Sequence, residues 1–215
     1  MNEPLIRTMS GQIATRLRDR ILAGDYAPGA ALLQDSIAAE FGVSKIPVRE
    51  ALVRLRAEGL IDIHAHRGFQ VRSLSAAEVD EVFRLRLKLE PAAVADGARQ
   101  AMAQDHALAD TSLRLLNRAL AEKNLADVGN LNCTFHLALI VPRLQPVSFE
   151  ILSRLHTLSQ RYVRMHLLPP GRMKRATREH GALFEVWMAG KAREANKLTQ
   201  RHIEETRDEL AEFLA

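Results

Sequence analysis

Between Ser10 and Gly24 the apolar residues return as Ile13, Leu17 and Ile21, a helical spacing with a hydroxyl at its start and a glycine at its end. The turn-rich stretch GDYAPGA (24–30) breaks this pattern. Ile37, Ala38 and Phe41 then mark the inner face of a short helix from about Asp35 to Phe41, stopped by Gly42. Ser44 stands where an N-cap belongs. Pro47 falls in the first turn of the next helix, predicted over 45–58, where a missing N–H costs little. Val48, Leu52 and Leu55 give that helix a buried stripe, and Lys45, Arg49, Arg54 and Arg56 occupy its other faces. From Leu60 the period shortens to two. LIDIHAH alternates, Arg67-Gly68 interrupts, and FQVRSL alternates again, which predicts a two-stranded hairpin. Helix, helix–turn–helix and hairpin together make a winged helix–turn–helix domain over residues 1–73.

After SLSAAE the pattern is helical to the end. Ser75 and Glu78 form an S-x-x-E capping box. Helices are predicted at about 76–89, 91–102, 105–122, 126–141, 146–167, 171–189 and 192–213, punctuated by Pro91, Pro146, the PPG at 169–171 and Gly190. The predicted fold class is mainly α: the winged domain, then an all-α helical bundle over residues 74–215.

Composition narrows the function classes only a little. The 215 residues are 47% apolar, 26% charged and 5% aromatic, which suits a helical globular protein. A net charge of +4 permits an acidic partner without demanding one. Residues 1–73 hold ten Lys/Arg and eight Asp/Glu, so this half is weakly basic, and useful DNA affinity should need a dimer on two half-sites. Cys133 is the single cysteine, in an apolar setting that suggests an inert thiol, so no intramolecular disulfide forms. No apolar run is long enough for a membrane span, and MNEPLIRTMS lacks a signal-peptide core. A cytoplasmic protein is expected.

Two constellations carry chemistry. The first is the basic helix start. Arg49 offers a fork that can pair with guanine O6 and N7. Lys45 and Arg54 are suited to phosphate, as is the Ser44 hydroxyl, and His66, Arg67 and Gly68 at the wing tip can reach a minor groove or backbone. The second lies in LNCTFHLALIV (131–141), where Asn132 and His136 share one helical face inside an apolar stretch. His180 and His202 sit on two further helices among Leu183, Phe184, Trp187 and Leu198. Histidines from three helices can meet at one interior point and hold a transition metal, or each can be an ordinary core histidine. His64, His106, His156 and His166 take the ordinary reading.

The segment GDYAPGALL, followed by AAEFGVSKIPVREALVRLRAEGLI and HRGFQV, closely resembles the DNA-binding domain of GntR-family transcription regulators over residues 10–73. The resemblance implies that Arg49 is the main base reader, with Ser44 and Lys45 beside it and the wing around Arg67-Gly68. That family often carries Arg at position 45, so Lys45 alters one base preference. The helical half is similar to the FCD domain of the FadR-like branch, through FRLRLKLEPAAVADGA, NCTFHLAL and EHGALFEVWMAGKAREANKLTQRHI. Such domains bind a divalent metal, zinc or nickel in character, through an Asp and three His, and use it to hold a small carboxylate. Residue by residue, the histidines carry over as His136, His180 and His202. The Asp position carries Asn132, which offers an oxygen without charge. Arg86, on the first bundle helix, is a further candidate for an effector carboxylate.

The expected function is a non-enzymatic, homodimeric repressor of double-stranded DNA operators, controlled by a small organic acid with metal assistance. The alternatives are a hydrolytic enzyme built on the three histidines, or a DNA-binding dimer with a vestigial pocket. Against the enzyme, Glu179 adjoins His180 in sequence but points about a quarter-turn away on a helix, leaving no general base in view.

Overall fold

A computed structural model of the chain describes residues 8–64, 67–143 and 145–214. Two compact units divide it, Met1–Ser73 and Leu74–Ala215. Among the described residues no helix is long and apolar enough to cross a membrane.

In the first unit, α1 (Met9–Ala23) packs Ile13 and Leu17 against Val48, Leu52 and Leu55 of α3 (Lys45–Ala57), with α2 (Gln34–Phe41) between them in sequence. The predicted cap at Ser10 moves two residues back. Thr8 accepts from the Gly11 N–H at 3.2 Å, and Ser10 is buried within the first turn. Gly24 and Gly42 end α1 and α2 at φ 86° and 65°, in the left-handed region a glycine enters without penalty. The hairpin pairs β1 (Ile61–His64) with β2 (Gly68–Val71) in antiparallel register, Ile61 opposite Val71 and His64 opposite Gly68. A feature the alternation did not show is a third line of backbone beside β2. Gly29 donates to Val71 and Leu32 to Phe69, each at 2.8 Å, so the GDYAPGALL segment braces the wing.

The second unit has six α-helices among the described residues: α4 (Ala76–Gln100), α5 (Ala103–Ala121), α6 (Leu125–Ile140), α7 (Pro146–Leu167), α8 (Arg172–Met188) and α9 (Ala192–Leu214). The break expected at Pro91 is absent. α4 runs through it as one helix of 25 residues. Its buried stripe of Val79, Phe83, Glu90, Val94 and Ala98 is continuous across the proline. Burial on both sides of it offsets the ~3 kcal/mol that an internal proline costs. α4 packs lengthwise on α9. Phe83, Leu116, Phe135, Leu139, Tyr162 and Trp187 fill the centre. Gly97 lets α4 approach the α6 backbone: a Cβ there would collide with the Leu139 carbonyl oxygen, to which the Trp187 indole N–H donates at 3.0 Å.

The capping box at Ser75 closes through a third residue. Ser75 accepts from the Glu78 N–H at 3.4 Å, and its own N–H donates to the Tyr162 hydroxyl at 3.3 Å. That hydroxyl lies 3.0 Å from Glu78 Oε1 as donor, so α7 takes part in capping α4.

Candidate functional site

In the first unit the local sequence sets which face of α3 is free. Val48, Ala51, Leu52 and Leu55 turn inward, and Ile46, Arg49, Glu50 and Val53 form an exposed strip at helical spacing. Arg49 therefore projects outward from the N-terminal half of the helix, between Ile46 and Val53. Lys45 reaches Asp35 on α2 at 2.6 Å, an exposed pair that phosphate can replace at little cost. Arg54 is exposed, with its guanidinium beside Gly11 of α1. Ser44 occupies the N-cap position of α3, but its hydroxyl makes no capping bond. At the wing, Arg67 is exposed in the turn and Gly68 takes φ 70°. His66 lies outside the described residues.

In the second unit, His136 of α6, His180 of α8 and His202 of α9 converge. One ring nitrogen from each lies within 4.8 Å of the others. The ring centroids are 4.9–5.3 Å apart. His136 and His180 are buried, and His202 keeps a side-chain exposure of 14%. Arg86, Asn132, His166, His180, His202 and Thr206 are among the residues around an interior cavity, in which about 20 Å³ is open to the centre of a water-sized sphere. That is room for one or two waters.

Carboxylates stand behind two of the imidazoles. Glu179 Oε2 lies 2.8 Å from His202 Nδ1, and Glu90 Oε1 lies 3.1 Å from His136 Nδ1, close but poorly aligned for a hydrogen bond. Glu179 points away from His180, as its quarter-turn offset on α8 requires, and meets His202 of α9, so the expectation that no carboxylate stands near these histidines is corrected. Both contacts leave Nε2 as the nitrogen available to an ion, the usual way a carboxylate fixes the tautomer and orientation of a ligating histidine.

Glu90 is the centre of a buried network that the sequence reading missed. It is fully buried and takes Nε and Nη2 of Arg86 at 2.8 and 3.2 Å, and His156 Nε2 lies 3.2 Å from it. Arg86 Nη1 also donates to Ser159 at 3.2 Å. Burial pushes the Glu90 carboxyl up, but Arg86 and the two imidazoles outweigh it and hold it well below the usual carboxylate range. Arg86 lines the cavity with its guanidinium already paired to Glu90, so an effector carboxylate there would share it with a carboxylate of the protein. The i, i+4 spacing of Arg86 and Glu90 was visible in the sequence. Their burial, with His156 beside them, was not. His166, also read as ordinary, lines the same cavity.

Desolvation pushes His136 down to about 3 and, with neighbouring imidazoles, holds His180 well below its ordinary value. Both rings are therefore neutral near pH 7, with lone pairs ready for a metal. Both nitrogens of His180 and Nε2 of His136 are buried without a hydrogen-bond partner among the described residues. Orphaned nitrogens converging at this spacing fit a divalent transition metal of the zinc or nickel kind.

Residues 9–71 match the family described as bacterial regulatory proteins, gntR family, and residues 81–205 match the FCD domain. The chain belongs to the GntR family, with an FCD domain as its helical half. This GntR/FCD chain is 30% identical over 144 residues to the HTH-type transcriptional regulator McbR of Escherichia coli K12, covering 67% of the chain and 65% of McbR. The match thus spans just under two thirds of McbR's length. It is 26% identical over 205 residues to the HTH-type transcriptional repressor RspR of the same organism, covering 94% and 89%. A GntR transcriptional regulator from Rhodococcus sp. RHA1 shares the fold at a TM-score of 0.81 and 23% identity, covering 94% of this chain and 96% of that one. The chain thus joins a GntR winged helix–turn–helix to a helical FCD domain, and the relatives it matches are named as transcriptional regulators.

Proposed function

We propose that the protein is a homodimeric repressor, acting in the cytoplasm, whose hold on a two-half-site operator is controlled by a small carboxylate in the histidine cavity. The observation that carries this reading is the convergence of His136, His180 and His202 on one interior point of a DNA-binding regulator. Residues 1–73 form the DNA-binding domain, and residues 74–215 sense the effector and dimerise. Arg49 reads a base, Ser44, Lys45 and Arg54 hold phosphate, and His66, Arg67 and Gly68 form the wing contact. His136, His180 and His202, with the Asn132 oxygen, would hold a divalent metal, which when bound would supply a Lewis-acid point for a carboxylate oxygen. Glu90 and Glu179 orient the rings, and the apolar wall of Phe83, Leu116 and Val163 excludes water. The named repressor role of RspR supports the sign of the response.

Control requires the effector to bind the DNA-competent and DNA-incompetent conformations with different affinities. A mobility shift on DNA upstream of the protein's own gene tests the reading. Arg49→Ala removes one bidentate base contact from each half-site and should weaken binding roughly 30-fold or more. Released DNA on adding one of a panel of short carboxylic acids with Zn²⁺ is the expected response. No shift with the native protein, or an Arg49→Ala variant that binds equally well, overturns the DNA assignment. A shift indifferent to every acid and metal overturns the sensing assignment.

A further inference from the structure

Among the described residues, the most exposed large apolar side chain stands at the start of α3. Ile46, the second residue of that helix, keeps 71% of its surface open, while Val48, Ala51, Leu52 and Leu55 are buried on the opposite side. It lies one turn before Arg49 and Glu50 and two turns before Val53, so the four share one face, which borders an open concavity of the first unit. Single exposed aliphatic residues are ordinary on protein surfaces. Ile46 is set apart by its place. It sits between Lys45 and Arg49 in the N-terminal part of the second helix of a helix–turn–helix, the part that meets base edges in the major groove. Chemistry limits what an aliphatic side chain can distinguish there. The base edges present donors and acceptors, and their one apolar group is the C5-methyl of thymine. The branched Cβ of Ile46 also restricts χ1, so little rotamer freedom is lost on contact.

We infer that Ile46 reads thymine: its side chain packs on the C5-methyl of a thymine one or two base pairs from the guanine held by Arg49, in each half-site. The spacing follows from two rises, ~4.5 Å for three residues of helix and ~3.4 Å for one base pair. This rests on the base-reading role proposed for Arg49 and deepens it, because a guanine fork and a methyl contact on one helical face select two bases together. Such a contact matters in a domain whose ten Lys/Arg face eight Asp/Glu, since little of its affinity can come from phosphate alone.

The experiment uses duplexes that the full chain selects from a random-sequence pool, with affinity read by mobility shift. The guanine of Arg49 is the one whose replacement weakens the native protein but not Arg49→Ala. At the neighbouring thymine, deoxyuridine deletes the methyl and keeps every hydrogen-bonding group. That change should weaken native binding roughly fourfold per half-site substituted, the worth of one buried methyl. Ile46→Ala should bind the thymine and uracil duplexes equally well. Val53→Ala, a truncation further along the same strip, should keep the full uracil cost. A native uracil cost below about twofold, half the worth of that methyl, overturns the role of Ile46 and leaves Arg49 a base reader. Selected duplexes with no thymine within two base pairs of that guanine, or a uracil cost as large in Ile46→Ala as in the native protein, overturn it as well. Binding by folded native protein with no sequence preference overturns the Arg49 assignment itself, and the thymine contact with it.

Discussion

Replacing Arg86 with Met removes the cation that balances Glu90 while keeping most of the side chain's volume. In the native protein the pair is almost wholly buried, with side-chain exposures of 4% and 0%, and is joined by two hydrogen bonds. After Arg86→Met the Glu90 carboxylate keeps only His136 and His156, both with imidazoles depressed toward the neutral form by burial. Breaking one side of a buried ion pair costs about 3–5 kcal/mol, because a desolvated charge is left behind. The helical unit has about 140 residues, so its unfolding entropy near the midpoint is roughly 0.3 kcal/mol per degree, and the expected fall in Tm is about 10–17 °C. Trp187 is the sole tryptophan and lies fully buried in this unit, so its fluorescence follows the unfolding of the helical half by itself. Adding Glu90→Gln to Arg86→Met should restore more than half of the loss, since no charge then remains to be stranded. A Tm change below about 3 °C for the single variant, or a double variant no more stable than the single, would refute the buried-pair argument. In that event Arg86 is available to an effector, and its loss would appear in ligand response and not in stability.

Gly97→Ala places a methyl against the Leu139 carbonyl and 3.2 Å from the Trp187 indole nitrogen that bonds to it. Overpacking and a disturbed hydrogen bond together should cost at least about 2 kcal/mol, read by the same fluorescence in urea. Stability should fall on acidification from pH 6.5 toward 3. Folded His136 and His166 titrate near 3 and unfolded histidine near 6.5, so the unfolded chain binds more protons throughout that window. Each such histidine contributes a slope of up to about 1.4 kcal/mol per pH unit, and a flat urea midpoint from pH 6.5 to 4.5 would contradict the buried, neutral assignment. Cys133 is buried, and desolvation raises its thiol pKa, so labelling by an aromatic disulfide reagent should be at least ~100-fold slower in buffer than in denaturing urea. Rapid labelling of the folded protein would place that face of α6 in contact with solvent.

Local grammar made much of the molecule legible. Hydrophobic period distinguished helices from the wing, and Gly24 and Gly42 marked two helix ends, because capping and amphipathicity act within one or two turns. Pro91 misled for the same reason. Its local cost is real, but α4 is held on both sides by burial that no window around residue 91 contains. Thr8 displaced Ser10 as the cap because either hydroxyl satisfies the local pattern, and the packing of Ile13 and Leu17 chooses the start.

The site divides along the same line. The sequence alone determined that Asn132 and His136 share a face, that Arg49 lies near an exposed helix start, and that His180 belongs to an inward stripe. Only the tertiary structure decided which partners meet. It turned Glu179 onto His202, gave Arg86 to Glu90, brought His156 and His166 into the polar interior, and left Asn132 beside a cavity with no acidic wall. Helical spacing fixes the direction of a side chain relative to its own axis. The approach of five helices to one point depends on how their apolar faces pack, and that packing also determines whether a charge is balanced or stranded.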